Sequence, residues 1–386
     1  MAAPNNFAPS NSVAAPNEAA SGSDLAINLS ALQENYAFLA SQSSSAQCAA
    51  VIKADGYGIG LEHAAQNLST AGCRVFFVAL PQEGIRARTT LPEATIYVLN
   101  GLFGSDCAAL YDQHDLRPVI GSMAELEDWQ SYCRDQGKVL PCALHFDTGM
   151  NRLGMGMEQA QKIAKETELS DACEIALIMS HLACADEPMH ALNSQQLDRF
   201  RAIRELFPEI PASFANSAGI FLGPDYHFDL LRPGIALYGG QAVGDHPNPM
   251  QPVATLKSRI LDVRYVPQGQ SISYGAAQVT KRESRIGIVS VGYADGYLRA
   301  AGSTDNHSGA HVWLDGYSLP VFGRVTMDLI MVDLTDLPVG LAKRGMWVEL
   351  FGPNIPIDDV AASAGTISYE LLTSLSKRAL RRYLPA

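Results

Sequence analysis

The stretch Cys48-Ala49-Ala50-Val51-Ile52-Lys53-Ala54-Asp55-Gly56-Tyr57-Gly58-Ile59-Gly60 decides how the rest of the chain is read. Ala49 to Ile52 form an apolar run with the length of a short buried strand. Lys53 leaves the end of that run, and a loop of three glycines and one tyrosine follows. An amine at such a place is easily desolvated, which lowers its pKa and frees it to attack a carbonyl. The glycines let backbone N–H groups come close to a ligand. Taken alone, the lysine also reads as a solvated residue at a strand end, so the surrounding chain must decide.

The bulk numbers set limits. A chain of 386 residues suits two domains. Its composition, 47% hydrophobic and 18% charged, is that of an ordinary globular protein. A net charge of −12 argues against nucleic acid as a partner. The seven cysteines are odd in number and irregular in spacing, with no C-x-x-C pair, so neither a disulfide framework nor a zinc site is expected. Reduced thiols in a cytoplasmic protein fit better. No apolar run approaches the roughly 18 residues of a membrane span. The N-terminus lacks the basic start and apolar core of a signal peptide.

Residues 1–23 are rich in Ala, Pro, Asn and Ser and read as a mobile low-complexity tail. From Asp24 onward, short apolar runs alternate with amphipathic ones. The candidate strands are Ala49–Ile52, Val75–Ala79, Ile96–Leu99, Arg117–Ile120, Cys142–Phe146, Ile175–Met179, Ala212–Phe214 and Leu230–Leu231. The clearest helix is Gln195–Phe207, where Leu197, Phe200, Ile203 and Phe207 share a face. Eight such units suggest a (β/α)8 barrel of the TIM type over residues 24–245. A doubly wound sheet is the alternative, but the first loop lacks the G-x-G-x-x-G order. A barrel places active groups just past the C-terminal ends of its strands. Lys53 follows strand one; Asp147, Thr148 and Arg152 follow strand five. His181 follows strand six, Asn216 and Ser217 strand seven, and Arg232, Pro233 and Gly234 strand eight. After the linker Gln241–Pro252, short strands separated by turn signals read as a mainly antiparallel β domain over residues 246–386. Tyr369 to Arg382 reads as a closing helix with basic residues in its last turns.

Asn216-Ser217 and Gly234-Ile235 open what read as helices after strands seven and eight. Neighbouring helix starts with free N–H groups form a phosphate site, although two ordinary N-caps look the same. Arg232 would then point at whatever carries the phosphate. His181 reads equally as a site residue or as a satisfied buried histidine. A phosphate site beside a lysine suggests pyridoxal phosphate held as a Schiff base. A class I aldolase fits the same parts but leaves the β domain unexplained.

Val51-Ile52-Lys53-Ala54-Asp55-Gly56-Tyr57-Gly58 resembles the cofactor-lysine signature of bacterial alanine racemases. The resemblance continues through Asp147 to Gly154, Ser180-His181, Asn216-Ser217-Ala218 and Arg232 to Gly239. It goes on through Ser273-Tyr274-Gly275, Gly292 to Gly296, Gly323 to Asp328 and Thr366 to Glu370, covering nearly all of Asp24 to Tyr383 in order. It implies a homodimeric, pyridoxal-phosphate-dependent isomerase that interconverts L- and D-alanine, for peptidoglycan synthesis or alanine catabolism. No metal and no membrane enter that reading. Lys53 would hold the cofactor and act as the base on the D face, and Tyr274 of a partner subunit as the base on the L face. Tyr57, Ser217, Gly234, Ile235 and Tyr369 would hold the phosphate, with His181, Asn216 and Arg232 also around the cofactor. Arg152 and Met327 would bind the substrate carboxylate, and Tyr293 would narrow the entrance together with Tyr369. Arg299 and Asp186 would lie further out along the channel. Decarboxylases of basic amino acids share the fold group but supply a cysteine-containing loop from the second domain. All seven cysteines here precede residue 185.

Two bases on opposite faces exchange the proton without turning the substrate over. Free tyrosine titrates near 10, so only on the order of 0.1% is phenolate at pH 7. Bringing it to 7 needs about 4 kcal/mol, and a chain from Arg232 through His181 to Tyr274 is expected to supply part of it. One departure stands out. Many family members carry a carbamylated lysine seven residues before the arginine of Asp-Thr-Gly-Met-x-Arg. Here that residue is His145, so no carbamate can form and another group must orient Arg152.

Overall fold

A computed structural model of the chain describes residues 20–165, 172–244 and 247–386. The tail read at 1–23 lies, up to residue 19, outside the described residues. Strand β1 is Ser23–Asn28. The first barrel strand is split into β2 (Gln47–Cys48) and β3 (Ala50–Val51). Then come β4 (Val75–Val78), β5 (Thr95–Val98), β6 (Arg117–Ile120), β7 (Leu140–His145), β8 (Cys173–Met179), β9 (Ala212–Ser213) and β10 (Leu230–Leu231). From β3 to β9 they pair in parallel in chain order. β2 pairs in parallel with β10, and Arg232 N–H donates to Ala215 O at 2.9 Å, which closes the ring from strand seven through strand eight to strand one. The expected (β/α)8 barrel is thus present. Its strands are apolar without alternation because both faces are covered. Ala49 to Ile52, Phe76 to Val78 and Ile96 to Val98 are all buried.

Local chemistry sets the helix limits. Asn28 caps the helix Leu29–Ser41, its side chain accepting from Ala31 N–H at 3.1 Å. The amphipathic segment forms the helix Ala191–Leu206, with Leu197, Phe200 and Ile203 buried. After strands seven and eight the expected helices are single 3-10 turns, Gly219–Leu222 and Ile235–Tyr238. Gly223 (φ 109°) and Gly239 (φ 88°) leave right-handed geometry at once and stop them there. The seven cysteines are free thiols, five of them buried.

The second sheet is built on β11 (Ala254–Val266). β12 (Ser271–Ile272) and β13 (Gln278–Val279) form a small hairpin beside it. β14 (Ser284–Val289), β15 (His311–Leu314), β16 (Tyr317–Pro320), β17 (Ile330–Asp333), β18 (Trp347–Phe351) and β19 (Leu380–Leu384) complete it. The order is β16-β15-β18-β11-β1-β19, with β14 and β17 carried on the far half of β11. Two readings need correction. Ser23–Asn28, most of which fell in the barrel segment, pairs with β11 and belongs to this sheet. The closing helix ends at Thr373, and the basic residues Arg381 and Arg382 lie on strand β19. β1 offers an open edge whose N–H and C=O groups need partners. Asp24, buried on that edge, takes a bidentate bond from Arg382 at 2.6 and 2.5 Å.

Candidate active site

Lys53 leaves the barrel at the end of β3. The next four residues, Ala54 (φ 54°), Asp55 (φ 56°), Gly56 (φ 63°) and Tyr57 (φ 50°), are left-handed. That conformation costs about 1–2 kcal/mol for each residue other than glycine, so it must be held from outside. Arg381 on β19 donates to Gly58 O at 2.7 Å, and Tyr383 Oη donates to Ile59 O at 2.9 Å. Arg86 bonds Asp55 at 2.8 Å. Gly58 itself passes so close to the helix Ser368–Thr373 that a Cβ there would lie 2.1 Å from Leu372 O. The second domain therefore clamps the lysine loop.

The loop opens into a cavity of about 450 Å³ lined by Lys53, Tyr57, Asn100, His145, Arg152, His181, Asn216, Ser217, Arg232, Gly234, Ile235 and Tyr369, among others. Among the described residues, none of its lining side chains is acidic. Burial first, then the charge of Arg152, pushes the Lys53 amine below its ordinary value, against an opposing pull from Glu83. Burial and the neighbouring Arg232 and Arg152 push His145 down to about 4 and hold His181 well below the usual imidazole range. Both rings are neutral at working pH.

Arg232 is buried, and burial pushes its guanidinium down to about 9, still high enough to keep its proton. It donates to Ser213 Oγ and, at 2.6 Å, to Ser180 O. No hydrogen bond joins it to His181 among the described residues, so the expected relay is not formed within one chain. Arg152 likewise has no ion-pair partner among the described residues. The orienting group expected in place of a carbamate is not found there.

Nearby is a cup of donors. Ser217 Oγ accepts from the N–H groups of Gly234 (2.8 Å) and Ala236 (3.3 Å). A Cβ on Gly234 would lie 2.2 Å from Tyr57 Oη, so only glycine lets that phenol reach the cup. Tyr57 stacks on Tyr238 at 4.5 Å, which fixes its ring. Burial pushes Tyr369 up to about 12, keeping it a donor. Hydroxyls and N–H groups converging without a carboxylate suit a phosphate. A buried guanidinium lacking a counter-charge suits an acceptor nitrogen on the same ligand. The residues present therefore fit pyridoxal phosphate.

The structure thus gathers Lys53, Tyr57, Arg152, His181, Asn216, Ser217, Arg232, Gly234, Ile235 and Tyr369 at one cavity. Asn216 also caps its 3-10 turn, accepting from Gly219 N–H at 2.9 Å. Tyr274, Tyr293 and Met327 do not line it; they are 74%, 43% and 54% exposed on the second domain. Asp186 lines an adjoining cavity that shares His181 and Tyr369, whereas exposed Arg299 lines neither. Sequence reasoning missed Asn100, whose signal was its place just past the third strand. It also missed Glu83, three residues after the helix-capping position Leu80.

A closed barrel, a lysine at the mouth of its first strand and an antiparallel second domain define a class of barrel enzymes that work through a reactive amine. Comparison narrows the class. The alanine racemase N-terminal domain model matches residues 27–242, and the alanine racemase C-terminal domain model matches residues 253–383. The biosynthetic alanine racemase of Agrobacterium fabrum is 46% identical over 368 residues, covering 94% of each chain. The catabolic alanine racemase of the same organism is 44% identical, covering 93% of this chain and 92% of its own. The crystal structure of an alanine racemase from Bartonella henselae with covalently bound pyridoxal phosphate superposes with a TM-score of 0.88. It has 38% identity and covers 94% of this chain and all of that one. The chain belongs to the alanine racemase family.

Proposed function

We propose that this protein interconverts L- and D-alanine with pyridoxal phosphate held at Lys53, as a homodimer whose two sites are shared. The observation that carries the reading is one acid-free cavity holding a half-buried lysine, a buried unpaired guanidinium and a phosphate cup. When bound, pyridoxal phosphate supplies the electron sink that makes the α-proton of an amino acid removable. The chain's own groups do the rest. Tyr57, Ser217, Tyr369 and the N–H groups of Gly234 and Ile235 would hold its phosphate. Arg232 would donate to its ring nitrogen without surrendering a proton to it. Arg152, with no acid on it, takes the substrate carboxylate, and the backbone at the partner's Met327 is assigned to help it.

Lys53 Nζ, its proton affinity lowered by burial, takes or returns the α-proton on one face. Tyr274 Oη from a second copy holds the proton for the other face. Its exposure in a single chain, shared with Met327 and Tyr293, supports a role in someone else's cavity rather than its own. Tyr293 and Tyr369 would restrict the mouth to a small side chain. No helix among the described residues is long and apolar enough to cross a membrane, and together with the free thiols this supports a cytoplasmic enzyme. Relatives named biosynthetic and catabolic are almost equally similar, so both wall synthesis and alanine breakdown fit.

The test is incubation of each alanine enantiomer in deuterium oxide with wild type, Lys53→Ala and Tyr274→Phe. Loss of the yellow cofactor band in Lys53→Ala, and its retention with blocked interconversion in Tyr274→Phe, is the expected result. Full racemisation by Tyr274→Phe discards the two-base reading.

A further inference from the structure

Glu83 has no part in the roles described so far. It is the third residue of the helix Pro81–Thr90, a place from which glutamate commonly reaches back to the backbone at the helix start. Its Oε2 does so, accepting from Ala79 N–H at 2.9 Å and Leu80 N–H at 3.1 Å. Its Oε1 turns the other way and accepts from Ala54 N–H at 2.6 Å. A helix cap does not need that bond. Ala54 directly follows Lys53 and begins the left-handed run, so Glu83 ties down the amide at which the chain leaves the first barrel strand. One carboxylate thereby joins the ends of barrel strands one and two. The charged or titratable groups whose fields couple to Lys53 are Glu83, Arg152 and His181, and of these Glu83 alone is acidic.

We propose that Glu83 is a positioning residue for Lys53: it fixes the amide after the lysine against the second strand's loop and presents a negative charge to an otherwise cationic cavity. The proposal rests on Lys53 being the reacting amine of the function given above. The geometry sets what each substitution does. A glutamine has one acceptor end, so Glu83→Gln serves either Ala54 or the Ala79–Leu80 pair but not both, and it carries no charge. Glu83→Asp keeps the charge and draws it back by one methylene from Ala54.

Two readouts test it. The first is the proton affinity of Lys53 in the full chain without cofactor, from the pH dependence of trace labelling by an amine reagent, read by mass spectrometry on the Lys53 peptide. The second is kcat and KM for alanine in the loaded enzyme. Loss of the charge in Glu83→Gln is expected to move the Lys53 midpoint to lower pH by about half a unit, roughly threefold in proton affinity. Misplacement is expected to cut kcat about tenfold with KM changed less than about twofold. Glu83→Asp is expected to restore the midpoint but not kcat. An unchanged midpoint in Glu83→Gln overturns the proposal. Where that variant does not fold, wild-type kcat in Glu83→Asp overturns it. Lys53→Ala that still racemises alanine would instead sink the reading of Lys53, which separates the two failures.

Discussion

The barrel mouth and the β12–β13 hairpin carry the two halves of the proposed chemistry and are built in opposite ways. At the mouth, Lys53, His145, His181 and Arg232 line one cavity at the strand ends, Arg232 held by Ser213 and Ser180, and none is paired with an acid among the described residues. A buried cation without a counter-charge, as at Arg232, is costly, and a closed parallel barrel is rigid enough to hold it beside two neutral imidazoles. On the hairpin, Tyr274 stands in solvent between Ser273 (φ 66°) and Gly275 (φ 73°), with Arg324 packed against Gly275. A phenol proposed to enter a second molecule's cavity has to be exposed in its own chain, as Tyr274 is. On the proposed reading, one chain supplies the cofactor half of the site and one of its two bases, and leaves the other base to a second copy.

That contrast can be broken at several points. Lys53→Ala removes the proposed covalent attachment, and racemisation should fall below detection together with the cofactor's visible absorbance. Tyr274→Phe should keep the absorbance and lower kcat in both directions by about 10²–10⁴-fold, the usual contribution of a general acid–base group. Mixing the two inactive proteins under conditions that exchange subunits sharpens the point. If sites are shared across a two-fold axis, half the dimers are mixed and each has one intact site, so activity should recover to about a quarter of wild type. No recovery would place both groups in one chain's site.

Much of the barrel half was legible in the sequence, because polar residues recur in the same position just past successive apolar strands, where a barrel gathers its active groups. Arg232 and Ser217 were found that way. The clamp on the lysine loop was not legible. Arg381 and Tyr383 lie more than 300 residues from Gly58 and Ile59, and nothing local marks such a contact. Strand β19 was misread as helix for a similar reason. Leu380–Leu384 becomes a strand only because β1 presents an edge to it, and pairing of that kind is a tertiary fact rather than a pattern.

Two smaller effects test the cationic cavity itself. His145 takes up a proton only near pH 4 when folded, against about 6.5 when unfolded. The unfolded chain therefore binds the extra proton first, and stability should fall by up to about 3 kcal/mol as pH drops through that window. In thermal melts of the cofactor-free protein, His145→Gln should lose part of that acid sensitivity. The smallest expected effect is none at all. Exhaustive removal of carbon dioxide should leave kcat unchanged, because His145 cannot form a carbamate, and a bicarbonate-dependent rate would contradict this.

The pairing of β1 with β19 also has a consequence for biosynthesis. All eight barrel strands lie between Gln47 and Leu231, so each can find its neighbours while translation continues. β1 emerges from the ribosome before any of them, yet its parallel neighbour β19 follows all of the barrel strands and the other strands of the second sheet. At about 5–20 residues per second, that edge waits roughly 20–70 s for its mate. The lysine loop, whose braces Arg381 and Tyr383 come from the same late segment, can reach its working shape only after that segment has been made.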